Sequence, residues 1–369
     1  VWEWHIWDHL VQDFDATKNN YGVVANHPEL VDPNGTGGRV QQFWNHVNGI
    51  DYNAALDQIM ISVRGNSELM VIDHGVTRAQ AATHAGGRYG KGGDILYRWG
   101  YAQQYDRGTG ADRRLYQQHH THWIEPGLPG AGHFLVFNNN QYLFQRTPQS
   151  YVLEINPCLN ASGTDTGAYV SPPSAGYTTW TFDKDTHKSD QQLSRQVTWK
   201  YSSVGNLVLF SHYGSSAQRL PNGNTLICAT TRGYLAEVTA TGEVVWEFVN
   251  PVTETGVIRA LGDCLPMTNA VPRALRYGPD FAGLAGQSLI PGPLLTDTAA
   301  VTTGTARLVN LSTRVAVGGP AGTPIPGFVL GGSGSRSSLR PLMFCSSDSA
   351  RSSLTACAFW TALWSVSIH

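Results

Sequence analysis

Thirteen histidines stand in a chain of which only 14% is charged, and imidazole is the side chain that serves as base, acid or nucleophile near neutrality. Three of them open stretches that recur along the sequence: His46 in NHVNGID, His119 in QQHHTHW and His212 in SHYGSSAQ. If each stretch is the innermost strand of a repeat, the three imidazoles converge on one axis, as in an active site. One such histidine alone reads as a satisfied structural residue; the shared phase carries the functional reading. Arg64 and Arg232 follow the strands of the first and third repeats, where a guanidinium would grip a tetrahedral oxyanion or else sit in solvent. His119, His120 and His122 suggest a metal, but strand alternation points His120 away from His119 and no carboxylate lies between them. No metal and no cofactor is therefore expected. Asp8 and His9 form either a hydrogen-bonded pair or a turn.

The elements that would position these groups are short strands. The clearest run is AQRLPNGN, then TLICAT, GYLAEVT and TGEVVWEF, with Pro-Asn-Gly-Asn supplying hairpin chemistry. An earlier copy reads HVNGIDYNAALDQIMISV, SELMVIDH, DILYRWG, and a middle one HTHWIEPGLPGAGHFLVFNNN, SYVLEINP, YTTWTF. Their closing strands VWEW, LYRW, TWTF and VWEF match in type. Repeats of four antiparallel strands bury their faces only against neighbours, which predicts an all-β propeller, with a β-sandwich as the second choice. The opening VWEW resembles a last strand, so about three complete blades are expected before residue 260, with exposed edges that favour aggregation.

Glycines interrupt the segment RAQAATHAGGRYGKGGD (78 to 94), which predicts a loop rather than a helix. Its Gly90-Lys91 lacks the first glycine and the hydroxyl residue of a phosphate-binding loop. The 40 glycines and 11 tryptophans among 369 residues exclude a coiled coil or helical bundle. A net charge of -2 offers no field for a nucleic acid. Five cysteines without CxxC spacing give neither a zinc ribbon nor a complete disulfide framework. The apolar run from Leu354 to Ile368 is shorter than the roughly 20 residues that span a bilayer.

The strings WEWHIWDHLVQDFD, NHVNGIDYNAALDQIMISVRG, GKGGDILYRWG, QQHHTHWIEPGLPGAGHFLVFNNN, SAQRLPNGNTLICA and GEVVWEFVNPV resemble the aryl-sulfate sulfotransferase family, in its environmental bacterial branch. The resemblance spans about residues 1 to 285. It implies a six-bladed β-propeller in which a histidine takes a sulfuryl group from a phenolic sulfate and passes it to another phenol, without a nucleotide sulfate donor. His46 and Asn48 match the family's His-x-Asn strand, and His119 the histidine of its Gln-His strand. His212 lies beside, about one residue off, the position before Ser-Ala-Gln-Arg, the region of the nucleophile. Arg64 falls where the family has an arginine. The family's arginine after the second blade finds only Asn138-Asn139-Asn140 and a displaced Arg146 here. The expected catalytic set is thus His46, His119 and His212, with Asn48, Arg64, Arg232, Asp8 and His9 binding substrate. Sulfuryl transfer spreads charge over three oxygens, so donors and cations suffice, and splitting it through a sulfohistidine lets two phenols use one funnel in turn.

The remaining expectations concern the C-terminal part and the partners. Residues 286 to 304, with Pro-Gly-Pro, read as a linker. Residues 305 to 335 resemble a β-rich module at the C-terminal ends of secreted bacterial surface proteins, which favours a periplasmic or extracellular place. Residues 336 to 369 have no legible period, as after a shift of reading frame. The expected partners are a small aromatic sulfate donor and a phenolic acceptor, with no nucleic acid and no membrane span; a homodimer stays open. Two other classes remain: a non-catalytic propeller that binds a ligand or scaffolds a surface complex, and a metal-dependent hydrolase using His119, His120 and His122.

Overall fold

The computed structural model describes residues 1–35, 45–139, 149–170, 196–202, 209–252, 269–278, 280–286 and 366–368. Its strands form where β-branched and aromatic residues run between Gly, Asn and Asp turns. Three four-stranded antiparallel sheets follow one another along the chain. The first holds β2 (Val47–Asn53), β3 (Gln58–Val63), β4 (Glu68–Asp73) and β5 (Ile95–Trp99). The second holds β6 (His119–Trp123), β7 (Phe134–Asn138), β8 (Tyr151–Ile155) and β9 (Val197–Tyr201). In the third are β10 (Ser216–Arg219), β11 (Thr225–Ala229), β12 (Tyr234–Val238) and β13 (Val244–Val249). Strands pair in sequence order within each sheet.

The middle strands are buried on both faces because each sheet is covered on both sides. Met60 joins a core with Phe134 and Val136 of the second sheet, while Ile59 and Ile61 point to the opposite core with Trp4 and Val31. Leu135 and Phe137 in turn meet Ala217, Ile227 and Ala229 of the third sheet. Alternation of side chains thus feeds successive inter-sheet cores. This is an all-β, propeller-like stack of four-stranded units, as the sequence pattern predicts.

Some details differ from the sequence reading. The second sheet closes with VTWKY rather than TWTF, which lies outside the described residues. The segment from Arg78 does contain one helical turn, Arg78–Ala81, because Thr77 and Gln80 form a reciprocal cap that local glycines do not reach. The opening strand β1 (Trp2–Trp4) pairs with β14 (Val366–Ile368) in a separate two-stranded sheet. The linker, the β-rich module and the tail otherwise fall outside the described residues, as do Asn140 and Arg146. No helix among the described residues is long and apolar enough to cross a membrane.

Candidate active site around His46, His119 and His212

β6 starts at His119, whose ring Nδ1 lies 2.8 Å from Oδ1 of Asn139, the residue just beyond β7. The Nδ2 of Asn139 donates to the carbonyls of Ser211 (2.8 Å) and Gly214 (3.2 Å), on either side of His212. With both amide hydrogens so engaged, only the carbonyl oxygen of Asn139 can face His119. Nδ1 is therefore the donor, and the lone pair of the neutral ring sits on Nε2. Desolvation lowers the pKa of His119 to about 4; the bonds to Asn139 and to the Gln117 backbone oppose this, and the nearby charges of Arg64 and His46 add to it.

Blade one supplies the other side. Arg64, the residue after β3, donates from its backbone N to the carbonyl of His46 at 2.8 Å, and from Nη2 to Oε1 of Gln117 at 2.7 Å. Desolvation, then the Arg64 charge, lowers the pKa of His46. Asn48 sits at a bulge in β2 and donates to the carbonyl of Gln118 at 2.6 Å, while its own Oδ1 is buried without a partner among the described residues. Ahead of the third sheet, desolvation and then Arg232 lower the pKa of His212, whose ring lies 4.7 Å from that of Tyr213. All three imidazoles are thus biased toward the neutral form that a nucleophile or base requires.

The shared phase expected of these histidines is not what groups them. Gly49, His119 and Ser216 pair with Ser62, Phe137 and Cys228, each the penultimate residue of its second strand. By that register His46 lies three residues and His212 four residues before the position that His119 occupies. Asn139 links the His119 ring to the backbone flanking His212, and the charge of His46 is felt at His119. Arg64 and Arg232 likewise differ: one directly follows its strand, the other stands three residues beyond β11.

One expectation is corrected by the packing. His9 does not reach this group: it is 0% exposed, its Nδ1 lies 2.8 Å from Oδ1 of Asp94, its Nε2 lies 2.8 Å from the carbonyl of Ala81, and its ring stacks on Trp4. Asp8 faces His5 beside it. Burial inside the first sheet's flank excludes His9 from contact with a diffusing substrate. β6 carries a bulge between His119 and His122, with a φ of 51° at His120, and the His120 and His122 rings lie 4.5 Å apart. Sequence reasoning missed Gln117 as a partner of Arg64, and saw Asn139 only as the wrong residue for a clamp.

The fold is that of an all-β, propeller-like protein, and burial lowers the pKa of His46, His119 and His212 alike. A family model for Arylsulfotransferase (ASST) matches residues 1–257, and the chain belongs to that family. No curated protein sequence matches it. Among solved structures, a protein of unknown function from Bacteroides caccae shares 13% identity at a TM-score of 0.27, covering 57% of this chain and 48% of its own. The chain thus spans about half the length of that protein. A streptogramin B lyase shares 11% identity at a TM-score of 0.21, covering 56% of this chain and 70% of its own.

Proposed function

We propose that the protein transfers a sulfuryl group from a phenolic sulfate ester to a phenol, without a nucleotide donor, through a sulfohistidine at His212. In the first half, His212 attacks sulfur, an N–S bond forms and the donor's S–O bond breaks. In the second, the acceptor phenol attacks sulfur, the N–S bond breaks, and Nε2 of His119 takes the phenolic proton. His119 returns that proton to the next donor's phenolate, so the cycle closes. Arg64, Arg232, Asn48 and His46 bind the sulfuryl oxygens, and Tyr213 stacks on the aryl ring.

The observation that carries this reading is the amide of Asn139, which joins Nδ1 of His119 to the backbone flanking His212. Family membership supports the reaction class. Incubation with 4-nitrophenyl sulfate and phenol should release nitrophenol in an acceptor-dependent way, and mass spectrometry of the quenched protein should find the sulfuryl mark on His212. We place the activity in the periplasm or outside the cell.

A second reading, a non-catalytic ligand-binding or scaffold propeller, is favoured by one feature. The stretch Asn138-Asn139-Asn140 stands where the family resemblance expects an arginine, and the displaced Arg146 lies outside the described residues. Absence of acceptor-dependent nitrophenol release would leave this reading in place.

A further inference from the structure

The glycine-interrupted loop from 78 to 94 has no part in the site above, yet it presents a second constellation. Three ligand-type atoms, from His9, His84 and Asp94, lie within 4.8 Å of one another. The Nδ1 atoms of His9 and His84 each sit 2.8 Å from the same Oδ1 of Asp94, and their rings meet edge to face at 5.9 Å. Nε2 of His9 donates to the Ala81 carbonyl at 2.8 Å. That bond places the lone pair of a neutral His9 on Nδ1, aimed at the carboxylate. A ligating histidine commonly has its other ring N–H tied to a carbonyl in just this way.

A lone pair on His9 Nδ1 facing a carboxylate oxygen, with His84 Nδ1 at the same oxygen, calls for a cation there, either protons or a metal ion. His9 and Asp94 are buried, while the side chain of His84 is 59% exposed and leaves one side open to water. The backbone is shaped to the cluster: a Cβ on Gly93 would come within 2.7 Å of His9 Nε2 and 2.1 Å of the Ala81 carbonyl, and Gly93 itself accepts from Trp4 Nε1 at 2.7 Å. We infer that His9 Nδ1, His84 Nδ1 and Asp94 Oδ1 form a site for a divalent transition cation of the zinc class, with water as fourth ligand, that fastens the glycine loop to the N-terminal segment. Two nitrogens, one oxygen and a water suit Zn2+ in tetrahedral coordination at about 2.0–2.2 Å, which needs only a small opening of the N···O separations.

The test uses the whole chain passed over a chelating resin and then titrated with Co2+ as a spectroscopic probe and with Zn2+ by calorimetry. One equivalent should bind, with the visible bands of four-coordinate Co2+ and a raised Tm. His84→Ala, at an exposed position that leaves the buried pair intact, should weaken binding at least tenfold and abolish the Tm increase. No saturable binding would overturn the inference and leave a proton-bridged cluster. Binding unchanged in His84→Ala would also overturn it, since the ion would then sit elsewhere.

Discussion

Asn139 holds His119 by a hydrogen bond whose direction is set from the far side of the amide. The Nδ2 hydrogens are taken by Ser211 and Gly214, so the contact at 2.8 Å runs from ring Nδ1 to amide oxygen. A residue at the end of the second sheet's second strand thus determines both the tautomer of one histidine and the seat of the loop that bears another.

Replacing Asn139 should separate those two effects. Asn139→Asp keeps an acceptor for His119 but loses both donors, and its charge should raise the His119 pKa above about 4. Asn139→Ala takes a donor from the Ser211 and Gly214 carbonyls, of which Ser211 keeps Ser150 Oγ, which costs about 1 kcal/mol. Both should lower turnover of 4-nitrophenyl sulfate by about 10- to 100-fold, measured alongside urea unfolding and a histidine NMR titration.

Stability should fall on acidification below neutrality. Between pH 6.5 and about 4 the unfolded chain protonates His119 while the folded chain does not, so stability is present above 6.5 and is lost as pH falls toward 4. Its contribution is about 2 kcal/mol. Asp32, pushed up to about 6 by burial, acts with the opposite sign between 3.8 and 6, where the folded form holds the proton. Asp32→Asn should therefore steepen the acid loss, read as urea midpoints from pH 7 to pH 4.5.

The second and third sheets are bridged by Glu154 of β8 and Arg219 of β10, at 2.5 Å, with His133 on the other carboxylate oxygen at 2.7 Å. Burial pushes the Glu154 carboxyl up, but the bonds from His133 and Arg219 outweigh it and hold the pKa below the ordinary value. Arg219→Met should cost about 3 kcal/mol by stranding a buried carboxylate, partly offset by His133. Double substitution with Glu154→Gln should recover much of that loss in chemical denaturation.

Gly93→Ala should destabilise the protein by about 1–3 kcal/mol, because the new methyl meets the Ala81 carbonyl and the buried His9 ring. Ala at Gly90, where nothing lies within 4 Å but φ is 70°, carries only the conformational cost of about 1 kcal/mol. Comparing the two Tm values distinguishes steric from backbone effects.

Local chemistry was the legible part. Pro221-Asn222-Gly223-Asn224 marks a hairpin, and the structure forms one, with Gly223 at φ 85° and Asn222 and Asn224 donating to Glu237. Burial of QIMISV on both faces was visible only as an apolar run. The histidines stood out by type, but their phase did not survive the bulges at Asn48 and His120, which sequence alternation cannot register. Asn139 acts on residues 20 positions before it and 72 after it, so no local pattern announced its role. His84 and Asp94 were concealed among glycines that read as mere loop.

One junction has a longer reach. Asp51 Oδ2 accepts from the backbone N of Trp123 at 2.8 Å, and Gln218 Oε1 accepts from that of Arg276 at 2.7 Å. Both acceptors sit opposite the fourth-from-last residue of their second strand, Met60 and Leu226. Residues 269–276 are thereby docked on the third unit as β6 is on the first, one modular latch being used twice.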